Sequence, residues 1–267
     1  ALHNLGCKVN AYETEAMRQL LEEDGYEIVP FEPGADVYVI NTCTVTNIAD
    51  RKSRQMLHKA RKMNPDAIVV AAGCYVETAD GDVEKDPAID IILGNNQKNQ
   101  LVSVIRDFEQ KRAGKRAEEP SGAMTKKIDI NHTKEYENLI IDRTENRTRA
   151  DIKVQDGCNQ FCTYCIIPFA RGRVRSRDTQ DVLQEVRALA ASGCQEIVLT
   201  GIHLSSYGVD LGEGMDLTAL IEAVHEVDGI SRIRLGSLEP GIVTEKFAYT
   251  LAELPKVCPH FHLSLQS

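Results

Sequence analysis

Short, continuous apolar runs alternate with helical patterns along the first part of the chain. The runs fall at residues 1–5, 26–29, 37–42, 67–72 and 89–93. Several lack any polar alternation, as strands buried on both faces do. Between them, residues 13–23 place Ala16, Met17, Leu20 and Leu21 on one helical face and stop at Gly25, a suitable helix end. Asn47 is positioned to cap a second helix that passes Met56, Ala60 and Met63 on its way to Pro65. A third spans residues 96–111 with Leu101, Val104, Ile105 and Phe108 inward. This alternation predicts an α/β domain built on a doubly wound parallel sheet, flavodoxin-like or Rossmann-like.

The pattern resumes in the second half. A strand over 151–154 precedes a helix capped by Asp178 or Thr179, which turns Val182, Leu183, Val186, Leu189 and Ala190 inward and closes at Gly193. A strand at 197–200, a helix at 217–227, a strand at 233–235, a helix at 244–254 and a strand at 261–265 come next. Such a series predicts a partial (β/α) barrel, incomplete at its carboxyl end, whose working face is the carboxyl edge of its strands. Residues 113–149 are polar and turn-rich and read as a linker, with residues 136–141 as a short strand or a segment packed on the second domain. The expected division is therefore 1–112, 113–149 and 150–267.

A chain of 267 residues with 42% hydrophobic content is long enough for two cores. No stretch reaches the ~20 apolar residues of a membrane span, and no signal peptide opens it, so a soluble, cytoplasmic protein is expected. Both ends read as cut, since the chain starts without Met and stops inside an apparent strand at Leu263-Ser264-Leu265-Gln266-Ser267. Eight cysteines without a small-domain framework predict reduced thiols and metal binding rather than disulfides. The net charge of −9 confines any nucleic-acid surface to local patches. Lys111, Arg112, Lys115 and Arg116 read as a solvated linker. Arg171, Arg173, Arg175 and Arg177 read either as solvated charge or as a nucleic-acid contact.

The chemistry concentrates in cysteine. Cys158, Cys162 and Cys165 come after the strand at 151–154 with C-x3-C-x2-C spacing. Structural zinc takes four ligands in a closed tetrahedron, and no fourth stands nearby: the next cysteine is Cys194 and the next histidine His203. Three thiolates suit an iron–sulfur cube with one open iron. Cys7, Cys43 and Cys74 each stand at the carboxyl end of an expected strand, the edge where ligands of open parallel sheets bind. Gly6 and Gly73 sit beside two of these thiols and permit close backbone approach, so the three read as a second cluster. No Gly-x-Gly-x-x-Gly loop succeeds the first strand, which leaves a dinucleotide site unsupported. His203 reads as a loop histidine, His260 and His262 as a structural pair, and Cys194 and Cys258 as packing residues.

The C-x3-C-x2-C spacing with Tyr164 before its last cysteine resembles the radical S-adenosylmethionine (SAM) enzymes. With both cysteine sets in this order, nearly the whole chain resembles the radical SAM methylthiotransferases. Gly6-Cys7-Lys8-Val9-Asn10, Ala170-Arg171-Gly172-Arg173-Val174-Arg175-Ser176-Arg177 and Leu235-Gly236-Ser237-Leu238-Glu239-Pro240 are similar to the branch acting on N6-threonylcarbamoyladenosine beside the tRNA anticodon. The resemblance implies two [4Fe-4S] clusters. One, on Cys158, Cys162 and Cys165, cleaves SAM to a radical that abstracts the C2 hydrogen of the adenine. The other, on Cys7, Cys43 and Cys74, carries the methylated sulfur. It further implies that Tyr164 contacts the SAM adenine, Thr200 and Gly201 its methionine end, and Ser237 or Glu239 its polar groups. The four arginines from Arg171 to Arg177 become candidate RNA contacts, with tRNA, an electron donor such as flavodoxin or ferredoxin, and a sulfur source as partners. A sibling enzyme acting on isopentenyladenosine in tRNA or on a ribosomal-protein aspartate is the nearest alternative, and a non-enzymatic zinc-binding nucleic-acid module the alternative of another class. The end of the barrel and the small RNA-binding domain that normally succeeds it in the family are absent from the sequence.

Overall fold

Every residue of Val37–Thr42 and Ile68–Gly73 is buried, so the apolar runs of the first half do form strands covered on both faces. The computed structural model describes residues 1–79, 81–114, 122–144 and 148–265. The described chain forms two units, one of Ala1–Thr133 with Phe161–Gly172 and one of Lys134–Gln160 with Arg173–Ser267.

The first unit runs β1 (Leu2–Asn4), α1 (Lys8–Glu23), β2 (Val37–Thr42), α2 (Asn47–Met63), β3 (Ile68–Gly73), α3 (Cys74–Thr78), β4 (Ile91–Leu93), α4 (Leu101–Gly114) and β5 (Met124–Lys126). The strands pair in parallel in the order β1-β2-β3-β4-β5. Strand alternation divides the core in two. Val37, Val39, Val70 and Ile91 pack with Met17 and Leu21 of α1 and with Leu101, Ile105 and Phe108 of α4. Tyr38, Ile40, Val69 and Ala71 pack with Leu57 and Ala60 of α2 on the other face. The sheet is thus doubly wound.

Several boundaries differ from expectation. The first helix starts at Lys8, directly after Cys7, instead of at residue 13. Thr46 caps α2 by accepting from the Ala49 amide at 3.1 Å, one position before Asn47. Residues 26–29 belong to no strand ladder, although Tyr26 and Ile28 pack on one core and Val29 on the other. The stretch read as a linker supplies β5 to this sheet. Lys115 and Arg116 lie outside the described residues.

The second unit contains β6 (Arg149–Asp156), and α5 (Ile167–Ala170) lies on the segment assigned to the first unit; β7 (Arg175–Ser176), α6 (Thr179–Ala191), β8 (Glu196–Gly201), α7 (Leu217–His225), β9 (Arg232–Leu235), β10 (Ser237–Leu238), α8 (Glu245–Ala252) and β11 (His262–Leu263) complete the second unit. Its sheet has the order β7-β6-β8-β9, parallel from β6 to β9 with β7 antiparallel at the edge, and β10 pairs with β11 separately. Helices succeed parallel strands, as in a partial barrel. The final strand covers two residues instead of five, and Gln266 and Ser267 lie outside the described residues. Residues 136–141 form no strand but pack within this unit. The Tyr136 hydroxyl donates to the Lys153 carbonyl at 2.8 Å, and the Ile141 amide donates to Glu185 Oε1 at 3.0 Å. Among the described residues no helix is long and apolar enough to cross a membrane.

Candidate functional site

In the first unit, three turns at the carboxyl edge of the sheet carry Cys7, Cys43 and Cys74. Cys7 is the residue before α1, Cys43 comes directly after β2, and Cys74 opens α3. Their thiols lie close enough to influence one another. Burial pushes the Cys7 thiol up, Arg171 pulls it down, and Cys74 raises it again. Burial likewise pushes Cys43 up, with both Cys74 and Cys7 adding to the rise. The effect on Cys7 comes from the protein packed around its sulfur, since the residue keeps exposed surface.

The backbone around these thiols is held tightly. Gly73 has φ +93°, and a Cβ there would stand 2.5 Å from Asn41 Oδ1 and 2.7 Å from the Thr42 carbonyl, so glycine is required. Ser53 of α2 accepts from the Cys43 amide at 3.0 Å and donates to its carbonyl at 2.8 Å. Asn10 Nδ2 bridges the Leu5 and Thr42 carbonyls at 2.8 and 2.9 Å, joining the turns of Cys7 and Cys43.

Beneath the thiols lies a set of buried polar groups that the sequence did not single out as functional. Glu13 and Lys98 pair at 3.1 Å, and both side chains are fully buried. Lys98 Nζ also donates to Asn95 Oδ1 at 2.6 Å. Burial pushes the Glu77 carboxyl up, and its Oε1 accepts from the Asn95 amide at 2.5 Å. Their signal in the sequence was slight: Glu13 lies on the inner face of a helix, beside Ala16 and Met17.

The donor set decides what could sit here. Among the described residues, no three His, Cys, Asp or Glu side chains are arranged to hold one metal ion. A cube attaches each thiolate to a different iron and so asks for a wider set of sulfurs than a single ion does. Three soft thiolates on three turns, with side-chain donors beside Cys74, suit such a group.

The second cysteine motif begins on β6. Asp156 accepts from the Gly157 amide at 2.8 Å and pairs with Lys153 at 2.6 Å, both side chains buried, which anchors the strand end before Cys158. Cys158 is buried and its sulfur accepts from the Gln160 amide at 3.5 Å. Phe161 holds a left-handed φ of +50°, rare for an aromatic residue. Farther along, the Cys165 amide donates to the Cys162 carbonyl at 2.9 Å. Cys162 is exposed, and Tyr164 is 73% exposed.

The remaining expected cofactor contacts differ in availability. The Thr200 hydroxyl donates to the Ile152 carbonyl at 3.0 Å and is buried, which leaves it engaged within the sheet. Gly201 is packed so that a Cβ would meet Gln155 Oε1 at 2.8 Å. Ser237 shares a hydrogen bond with His262 at 3.0 Å. His203 is more than a loop residue: it pairs with Glu239 at 3.0 Å and meets Ser206 Oγ at 2.6 Å. His203 and Glu239 border a cavity of about 500 Å³, lined also by Ser205, Asp216 and Lys246.

Three of the four arginines of the run do not lie on the surface. Arg171, Arg175 and Arg177 are fully buried, and Arg173 is partly so. Arg171 pairs with Glu13 at 2.5 Å, Arg175 faces Asp156 at 3.7 Å, and Arg177 pairs with Glu185. These guanidinium groups complete the folded units instead of forming an exposed strip for RNA phosphates. Alternation misled the sequence reading, since Arg171, Arg175 and Arg177, which look like part of a charged stripe, face inward onto Glu13, Asp156 and Glu185.

The chain is similar to known proteins along its whole length. Residues 1–94 match the family described as "Uncharacterized protein family UPF0004", and residues 152–267 match the "Radical SAM superfamily". Over all 267 residues the chain is 42% identical to the threonylcarbamoyladenosine tRNA methylthiotransferase MtaB of Bacillus subtilis, of which it spans 57%. It is 35% identical over 266 residues to the tRNA-2-methylthio-N(6)-dimethylallyladenosine synthase of Dictyoglomus thermophilum, of which it spans 58%. The chain thus covers little more than half the length of these relatives. In fold it is similar to the radical SAM methyltransferase TsrM of Kitasatospora setae, with a TM-score of 0.63 and 17% identity, over 95% of this chain and 57% of that one.

Proposed function

We propose that the chain is a radical SAM methylthiotransferase, on its match to the radical SAM superfamily and its likeness to tRNA methylthiotransferases, and that it carries the radical-generating and sulfur-carrying parts of an enzyme that methylthiolates C2 of N6-threonylcarbamoyladenosine in tRNA. The observation that carries this reading is the 42% identity to an enzyme named for that substrate, against 35% to one named for dimethylallyladenosine.

In this reading Cys158, Cys162 and Cys165 hold one [4Fe-4S] cluster, and Cys7, Cys43 and Cys74 hold a second. Bound there, the cubes supply an electron for SAM cleavage and a site for the sulfur to be transferred. The chain's own residues position these groups. Ser53 fixes the backbone of Cys43, Asn10 ties together the turns of Cys7 and Cys43, and Gly73 lets the turn before Cys74 close on Asn41. The exposed ring of Tyr164 would stack on the SAM adenine. Gly201 and Thr200 offer backbone to its methionine end, and Ser237 and Glu239 offer polar contacts, with Glu239 held in place by His203. The partners are tRNA, an electron donor of the flavodoxin or ferredoxin kind and a sulfur source, all in the cytoplasm.

Two measurements test the reading. Mass analysis of tRNA nucleosides from a deletion strain should show loss of the methylthio group from threonylcarbamoyladenosine; loss from isopentenyladenosine instead would assign the chain to the sibling activity. After anaerobic reconstitution the protein should bind about eight irons, falling to about four in the Cys158→Ala/Cys162→Ala/Cys165→Ala variant. Bound zinc, or four irons or fewer before substitution, would overturn the two-cluster assignment.

A further inference from the structure

Arg171 lies six residues after Cys165 on the segment that carries Cys162, separated from it by little more than α5, yet its guanidinium is fully buried beside Cys74. Nε donates to Cys74 Sγ at 3.2 Å. Nη1 donates to Glu13 Oε1 at 2.5 Å, and Nη2 donates to Glu13 Oε2 at 3.1 Å and to Asn10 Oδ1 at 2.5 Å. A guanidinium is planar, so a fork gripped by Glu13 and Asn10 fixes where Nε–H points. It points at sulfur. Asn95 repeats the link, since its Nδ2 donates to the Ala170 carbonyl at 2.7 Å and lies 3.7 Å from Cys74 Sγ.

Anchoring alone does not call for this arrangement. An arginine that serves only to hold a segment turns its Nη donors to carboxylates and carbonyls, as half-buried Arg61 does with Asp90 and the Pro65 and Ala67 carbonyls. Here one donor is reserved for a thiol that the sequence already marks as a ligand. A cation and N–H donors at a ligand sulfur stabilise the more negative, reduced state of a metal group, and the effect is larger where water is excluded.

We propose that Arg171 is a positioning residue for the Cys74 sulfur that raises the reduction potential of the iron–sulfur group held by Cys7, Cys43 and Cys74, acting from the same segment that bears Cys162 and Cys165. The proposal rests on the two-cluster reading above. One consequence is that the segment supplying two ligands of the SAM-cleaving set also tunes the sulfur-carrying set.

The test uses the full chain carrying Cys158→Ala/Cys162→Ala/Cys165→Ala, so that only the amino-terminal set can load. Iron and sulfide are counted and the midpoint potential is read by paramagnetic resonance during redox titration. Arg171→Gln should still load a cube, with its reduction equilibrium constant shifted at least tenfold toward the oxidised form, or about 59 mV for one electron. Arg171→Lys, which keeps the charge but loses the fixed fork, should fall between. Arg171→Gln removes one of the cations at Glu13, so Glu13→Gln/Arg171→Gln provides a second variant with neither charge. An unchanged midpoint in a loaded glutamine variant overturns the proposal, as does failure of both glutamine variants to load while the background chain loads. If the background chain itself binds no iron, the two-cluster reading fails first, and this proposal with it.

Discussion

Glu13 and Arg171, 158 residues apart in sequence, meet as a two-pronged ion pair with no exposed side-chain surface on either partner. Lys98 adds a second cation to the same carboxylate. Removing one partner of a buried pair leaves the other charge uncompensated. Glu13→Ala should therefore lower the unfolding free energy by about 3–5 kcal/mol. Glu13→Gln should cost less, because hydrogen-bond acceptance survives. Denaturant titration of the two variants checks the order.

Arg177 and Glu185 give a comparable prediction in the second unit, where the sequence suggested an RNA contact. Glu185 also accepts from the Ile141 amide at 3.0 Å. Arg177→Met should cost about 3–5 kcal/mol of stability. It should leave the salt dependence of any tRNA binding unchanged, whereas loss of one phosphate contact would reduce the slope of log affinity against log salt by about 0.9. Filter binding at several salt concentrations separates the two.

Gly73→Ala forces a Cβ into Asn41 and Thr42 at a φ of +93°. The expected loss is about 3 kcal/mol or more, as backbone strain and overpacking add. Gly25→Ala provides the control, with a similar φ of +90° but nothing within 4 Å, and should cost about 1–2 kcal/mol. Equal losses at both positions would show that the turn before Cys74 adjusts to a side chain.

Acid should weaken the second unit through Glu196. Burial pushes this carboxyl up, but hydrogen bonds from Arg232 at 2.6 Å and Arg234 at 2.7 Å outweigh it, and the net result lies below the ordinary carboxylate range. A depressed folded value means that the stabilisation is present above the unfolded carboxylate range and is lost as pH falls toward the folded value. Glu196→Gln should therefore cost about 1–3 kcal/mol near pH 7, with the gap from the unsubstituted chain closing in acid. Paired denaturant titrations across that pH range measure it.

These four positions show where sequence reading succeeds and where it stops. The strands at 37–42 and 68–73 were legible, the second to within one residue, because continuous apolar runs bounded by turns have few other solutions. Cys7, Cys43 and Cys74 were legible as strand-end residues for the same reason, and the comparisons with known proteins independently supported the family to which they point. The buried partners of Arg171 were not legible. Nothing local to Glu13, Lys98 or Asn95 reveals that a guanidinium from the far half of the chain will meet them. Local pattern also favoured a strand at 26–29, where apolar residues do alternate between two cores but no neighbouring strand completes the ladder.

Because Phe161–Gly172 packs with Ala1–Thr133, the border between the two units crosses the chain more than once. A border that a polypeptide crosses only once can be opened by separating two genes or two expressed halves, each of which then folds by itself. Here, residues 1–133 made alone would lack the arginine that answers Glu13 and the Ala170 carbonyl that answers Asn95. The remaining half would carry a segment cut off from its packing partners. Interleaving of this kind places the two members of one buried ion pair, Glu13 and Arg171, on opposite sides of any single cut made between residues 133 and 171.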